Sequence, residues 1–151
     1  MNLYKQVNNW FMDEQIGYIP FFNNWLYFNA TPFIVGAVSF NSVPGDRVVK
    51  EYIEGTKVKE LILAIDFVTQ YDLEGTSDIN MDIMEEVENF NKWVEDRNIN
   101  KQFPDFGENN IVTSVVSLSD TPSMLVDSTQ NLAKYQIQIK INYNDESEVI
   151  K

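Results

Sequence analysis

The 151-residue sequence contains no cysteine and no histidine. These absences exclude disulfides, zinc sites built on thiolate or imidazole ligands, and Ser-His-Asp or other histidine-based catalysis. Basic residues are scarce, with 11 against 23 acidic ones, and the formal charge of -12 disfavours binding to nucleic acid or anionic lipid. No segment reaches the ~18 apolar residues of a membrane span, and the N-terminus lacks a signal-peptide pattern. We expect a protein of a cytosol-like setting.

The composition that remains is typical of a globular protein. Hydrophobic residues make up 44% of the chain and aromatic residues 13%, which is too rich for a disordered sequence. At this length we expect one domain, spanning residues 1–151, with a sizeable core.

Hydrophobic periodicity predicts two helices and several strands. Helical spacing occurs over 2–14 and 76–99, whereas strict alternation marks "AKYQIQIKINYN" at 133–144 as a strand with one polar face. Residues 47–72 read as a long hairpin with its turn at 54–56. Further strands are expected at 25–29, 33–40 and 111–118, and a loop at 119–131.

This order of elements favours an α+β fold, a mostly antiparallel sheet packed against two main helices. The periodic apolar positions predict the core between the sheet and the second helix. They are Leu61, Leu63, Ile65, Phe67, Ile79, Ile83, Val87, Phe90, Val94, Ile137, Ile139 and Ile141.

Carboxylates are the main candidates for chemistry. Asp78 and Asp82, followed by Glu85 and Glu86, can hold a hard cation or act as an acid–base pair. Their spacing does not match that of the oxygen ligands in a calcium-binding loop, so it favours a solvated, acidic helix face. Asp66, inside "LILAIDFV", can have a raised pKa, yet alternation favours an exposed or interface-facing carboxylate.

Other motifs for chemistry are weaker still. No glycine lies in a phosphate-binding motif. The tryptophans at positions 10, 25 and 93 can stack on a sugar or a base, but such residues are more often part of a hydrophobic core. We therefore expect no catalytic residue, no cofactor and no metal.

The tip of the long hairpin is charged and cannot belong to a core. Its acidic and basic side chains either project into solvent or reach a neighbouring molecule. We predict an interface between subunits, because the long arms would carry the tip beyond the body of the domain. The predicted interface residues are Lys50, Glu51, Glu54, Lys57, Lys59 and Glu60.

Two stretches resemble the tail terminator proteins, also called tail completion or minor capsid proteins, of phages infecting Gram-positive bacteria. The first is "VPGDRVVKEYIEGTKVKELILAIDFVTQYD" at 43–72. The second begins with "FNKWVEDRNINKQFPDFGEN" at 90–109 and closes with "AKYQIQIKINY" at 133–143. The aromatic segment at 18–40 does not match that pattern.

The resemblance implies a structural virion protein, assembled with itself as a hexameric ring on the head-proximal end of the tail tube. Such a ring stops tube polymerisation and docks neck or head-completion proteins. Its partners would be the tail tube protein, with or without a sheath protein, and DNA would only pass through the lumen. The alternatives are another neck or tail component, the cap of a phage-tail-like bacteriocin, or a small carboxylate-based enzyme or ligand-binding domain.

Overall fold

The computed structural model describes residues 2–13, 27–29, 37–43, 48–71, 79–118, 123–127, 129 and 131–149, leaving aside the side chains of 27, 79–83 and 123. Within these ranges lie two helices and seven strands. In chain order they are α1 (Leu3–Phe11), β1 (Tyr27–Phe28), β2 (Val38–Ser42), β3 (Val48–Glu51), β4 (Lys57–Gln70), α2 (Ile79–Ile99), β5 (Asn110–Ser117), β6 (Ser123–Asp127) and β7 (Leu132–Asp145).

Two long antiparallel strands form the centre of the sheet. β4 and β7 pair over their whole length, from Lys57 opposite Asp145 to Gln70 opposite Leu132. Along the outer edge of β4, β3 pairs with its first residues and β2 with its later ones. β5 and β6 divide the outer edge of β7 in the same way. The α+β fold with a mostly antiparallel sheet is therefore confirmed.

One face of the sheet carries the core, as alternation predicts. The odd-numbered positions of β4 from 61 to 67 lie opposite those of β7 from 141 to 135, and both sets are buried against α1 and α2. Every predicted core residue whose side chain is described is buried, whereas Ile79 and Ile83 lie outside the described side chains. The core also contains residues outside that list: Phe40, Phe106, Val115, Tyr135 and Tyr143.

The short helix α1 begins at a defined cap and buries its aromatic residues. The side chain of Asn2 accepts hydrogen bonds from the backbone N–H groups of Tyr4 and Lys5, at 3.0 and 3.3 Å. Trp10 is buried, donates from Nε1 to the carbonyl of Gln102 at 2.7 Å, and packs against Trp93 with ring centroids 4.9 Å apart. These two tryptophans thus serve the core.

One expectation about the strands was wrong, and two others need new bounds. Residues 119–131 were expected to be a loop, but β6 pairs there with residues 132–136 of β7. Its apolar run of three residues is too short to signal a strand, and the backbone partner comes from β7. In the aromatic segment, β1 runs parallel to β2. The expected strands at 25–29 and 33–40 correspond to Tyr27–Phe28 and Val38–Ser42, and residues 30–36 lie outside the described part of the chain.

Candidate functional site

The hairpin turn is built from local hydrogen bonds. Tyr52 donates its N–H to the carbonyl of Thr56 at 2.8 Å, and Gly55 donates its N–H to the carbonyl of Tyr52 at 3.0 Å. Gly55 has a φ of 106°, a conformation that favours glycine. The hydroxyl of Thr56 donates to the carboxylate of Glu54 at 2.9 Å. The "EGT" of the turn is therefore explained by backbone geometry within the chain.

The segment that follows β7 lies against the inner side of this turn. A Cβ atom on Gly55 would stand 2.1 Å from the carbonyl oxygen of Glu148, which is far inside van der Waals contact. The segment is itself fixed, because Glu146 donates its N–H to the carbonyl of Asn109 at 2.7 Å. The glycine is thus required twice, by its φ and by the close approach of residues 148 and 149.

Two ion pairs continue this contact along β4. The ammonium group of Lys57 lies 2.7 Å from the carboxylate of Glu148, and that of Lys59 lies 2.7 Å from Asp145. The hydrogen bond with Glu148 is the main cause that raises the pKa of Lys57. Both lysines, expected to reach a neighbouring molecule, therefore have acidic partners in their own chain.

Asp145 is the most strongly shifted of these groups. Partial burial favours its neutral form and raises its pKa, but the hydrogen bonds from Lys59 and Ser147, with the charge of Lys59, outweigh burial and lower the pKa to about 2. Ser147 contributes twice, donating its N–H at 3.0 Å and its hydroxyl at 2.6 Å. The carboxylate thus fixes the C-terminal segment to the hairpin.

The hairpin tip does not project alone beyond the domain, contrary to the sequence-based expectation. β7 accompanies β4 as far as Lys57, and the segment after β7 covers the inner side of the turn. Reversing Lys57 and Lys59 to glutamate would therefore break intrachain ion pairs. Such a double variant tests the fold as much as any interface.

The outer side of the tip remains exposed. All four residues of β3 are exposed, and so are the first three residues of the turn. Lys50 places its ammonium group 4.7 Å from the ring centroid of Tyr52. Among the predicted interface residues, Lys50, Glu51 and Glu54 lie on this exposed side, whereas Glu60 is half-buried.

The sequence analysis missed the apolar residues on the outer side of the hairpin tip. Val49 is 60% exposed and Ile53 is 102% exposed, so the apex of the turn is an isoleucine in water. The signal was present in the sequence as an apolar residue in a turn, where polar residues and glycine normally dominate.

Asp66 is buried, which corrects the expectation of an exposed or interface-facing carboxylate. It is only 7% exposed and accepts hydrogen bonds from Asn41 Nδ2 at 2.8 Å and Gln136 Nε2 at 2.9 Å. On the same face, Asn142 donates from Nδ2 to the hydroxyl of Ser114 at 2.8 Å. At these positions the amide-rich face of the sheet makes hydrogen bonds across its own strands.

The carboxylates at the start of α2 do not form a cation site or an acid–base site among the described side chains. The side chains of Asp78 and Asp82 lie outside the described residues, and Glu85 and Glu86 are exposed. Within the described part of the chain, no group of three acidic side chains has a geometry that could hold a metal ion. The absence of a metal site stays a prediction.

The clefts on the described surface include one beside each helix. The first, of about 400 Å3, lies between α1 and strands β1 and β2 and is lined by Tyr4, Lys5, Phe28 and Phe40 together with amide side chains. The second, of about 270 Å3, lies between α2 and β5. There Asn98 accepts a hydrogen bond from the backbone N–H of Val115 at 3.0 Å. Asp66 lines neither cleft.

Comparison of the chain with protein-family models and with curated proteins finds no match. Among the described residues, no helix combines the length and the hydrophobicity that a bilayer span needs.

Proposed function

We propose that this protein is a structural component of a phage tail, a terminator that forms a ring on the head-proximal end of the tail tube. The ring, a homohexamer, stops polymerisation of the tube and offers a docking surface to neck or head-completion proteins. No residue is assigned a catalytic role, and no cofactor is required.

The observation that carries this proposal is the position of the motifs that resemble tail terminators. The hairpin turn "YIEGTK" and the "FPDFGEN" segment each contact the last strand or the residues just after it. Gly55 packs against the backbone of Glu148, just after β7, and the ring of Phe106 meets that of Tyr143 edge-on with centroids 5.3 Å apart. The resemblance therefore covers one structural unit of the chain.

Charge supports the same proposal. A tail lumen must let DNA slide, and basic residues would bind phosphate with the favourable release of counterions. A chain with a formal charge of -12 avoids that binding. The outer side of the hairpin tip supplies exposed apolar area for contact with another protein.

The test is assembly with the tail tube protein of the same phage, examined by electron microscopy. With the terminator present, we expect shorter tubes of narrow length distribution with extra density at one end. Without it, tubes should be longer and more variable. A surface variant on the exposed side of α2, Glu88→Lys, should act like the unaltered chain, since this residue does not belong to the hairpin tip.

Other outcomes favour the alternatives. Density at the tube end with unchanged tube length would favour a neck component over a terminator. A bound metal in stoichiometric amount, or turnover that disappears in Asp66→Asn, would favour the enzyme class. Unchanged tube lengths together with bare tube ends would contradict the proposal.

A further inference from the structure

The apex of the hairpin turn presents an apolar side chain to solvent. Ile53 is fully exposed, and its neighbour Tyr52 is 44% exposed. The turn is nevertheless well fixed, because Gly55 and Thr56 close it by backbone hydrogen bonds and Glu148 packs against its inner side. A rigid turn that exposes isoleucine loses little conformational entropy when another surface covers it.

The cleft beside α1 is the complementary feature. Its floor is aromatic: the ring of Phe28 lies 5.0 Å from that of Tyr4 and 5.0 Å from that of Phe40, centroid to centroid. Phe28 remains 43% exposed there. Lys5 and the amides of α1 form the rim, and among the described residues Lys5 belongs to no ion pair. The cleft thus combines apolar area with a cation.

We propose that the hairpin turn of one copy of this chain docks into the α1 cleft of a second copy. Ile53 covers the aromatic floor, and Glu54 meets Lys5 at the rim. The cleft, of about 400 Å3, has room for the apex side chains of a turn. The carboxylate of Glu54 accepts one hydroxyl, from Thr56, and keeps acceptor capacity for an ammonium group.

The hairpin turn cannot reach the cleft of its own chain. β2 places Phe40 opposite Ile65 of β4, whereas the turn precedes Lys57 at the other end of that strand. Eight residues of strand separate these positions, roughly 26 Å at the usual rise per residue. A contact between the turn and the cleft therefore has to join two chains.

Such a contact is heterologous, because two different surfaces meet. Repeated from copy to copy, heterologous contacts close into a ring or grow into a filament. The inference rests on the proposed ring and names the surfaces that join its subunits.

The first test compares Ile53→Ser with the matched control Ile111→Ser, an isoleucine that is also exposed but lies on β5. Sedimentation of the full chain over a concentration series gives the association constant. We expect Ile53→Ser to weaken association by about tenfold or more and the control to leave it nearly unchanged. Circular dichroism and melting show that each variant is folded.

The second test exchanges the charges. Lys5→Glu and Glu54→Lys should each weaken association, and the double variant should recover most of the loss, because the pair is restored in reverse. Lys5→Glu should not destabilise α1, because the helix dipole favours an acidic residue in the first turn. Additive losses without recovery would overturn the pairing.

The outcomes separate this inference from the proposed function. If the unaltered chain forms capped tubes and Ile53→Ser associates as well as the control, the docking inference is wrong and the terminator proposal stands. If Ile53→Ser still forms rings but no longer caps tubes, the turn contacts the tube protein and the second-copy assignment is wrong. If the unaltered chain neither associates nor caps, both fail.

Discussion

The two halves of the central strand pair are held in different ways. Toward the α1 end, β4 is buried on both faces from Leu63 to Val68, and Asp66 is enclosed by amide donors. Toward the hairpin tip, the same strand is half-buried on both faces, and two ion pairs with a close backbone contact hold it. We call these the body half and the tip half.

The difference separates stability from assembly. Burial of apolar side chains is the main source of folding free energy, so the body half should carry most of it. Ion pairs that solvent still reaches contribute little, with a median of ~0–1 kcal/mol. The tip half is therefore free to carry exposed side chains that would serve contact with another protein.

The largest expected effect is in the body half. Ile139, in β7, is fully buried, and Ile139→Ala should lower the free energy of unfolding by about 2–5 kcal/mol through lost burial and the cavity left behind. Denaturant melts measure it. The exposed Val116→Ala on β5 is the matched control and should change stability by less than about 0.5 kcal/mol. Equal losses of stability in the two variants would contradict the placement of Ile139 in the core.

A smaller loss is expected at the turn. Gly55→Ala should cost about 1–3 kcal/mol, because alanine is strained at positive φ and its Cβ would force the backbone of Glu148 away. Glu54→Ala, the neighbouring change in the same turn, should stay within about 0.5 kcal/mol. Thermal melts of the two variants at neutral pH measure these losses. If Gly55→Ala is as stable as the unaltered chain, residues 146–149 do not lie against the turn.

The smallest effect is the pH dependence of the tip half. The pKa of Asp145 is lowered from 3.8 to about 2, so its ionised form stabilises the fold above pH 4 and that contribution is lost as the pH falls toward 2. After allowance for solvent screening, we expect about 1 kcal/mol. Unfolding free energies measured from pH 5 to pH 2 should fall less steeply in Asp145→Asn than in the unaltered chain. Parallel curves would contradict the ion pair with Lys59.

Much of the body half can be predicted from the sequence. Alternation in β4 and β7 identifies the core face, since each residue step reverses the side of the sheet. It does not predict that Asp66 is buried, because burial on the second face depends on neighbours distant in sequence such as Asn41 and Gln136. β6 is missed for a similar reason, as a short strand is defined by its backbone partner.

The tip half is harder to predict. Composition shows that the tip is charged, but it cannot show that Lys57 and Lys59 have partners about ninety residues away in the same chain. That pairing depends on β7 running the whole length of β4. Nor does charge alone reveal Ile53, whose exposure is the more informative feature of the turn.

The central claim is that the chain assembles with itself into a ring, and native mass spectrometry of the full chain tests it most directly. We predict a species of six times the 17.5 kDa chain mass, in equilibrium with smaller forms on dilution. A mass of 17.5 kDa at every attainable concentration, under conditions where the fold is intact, would contradict the claim.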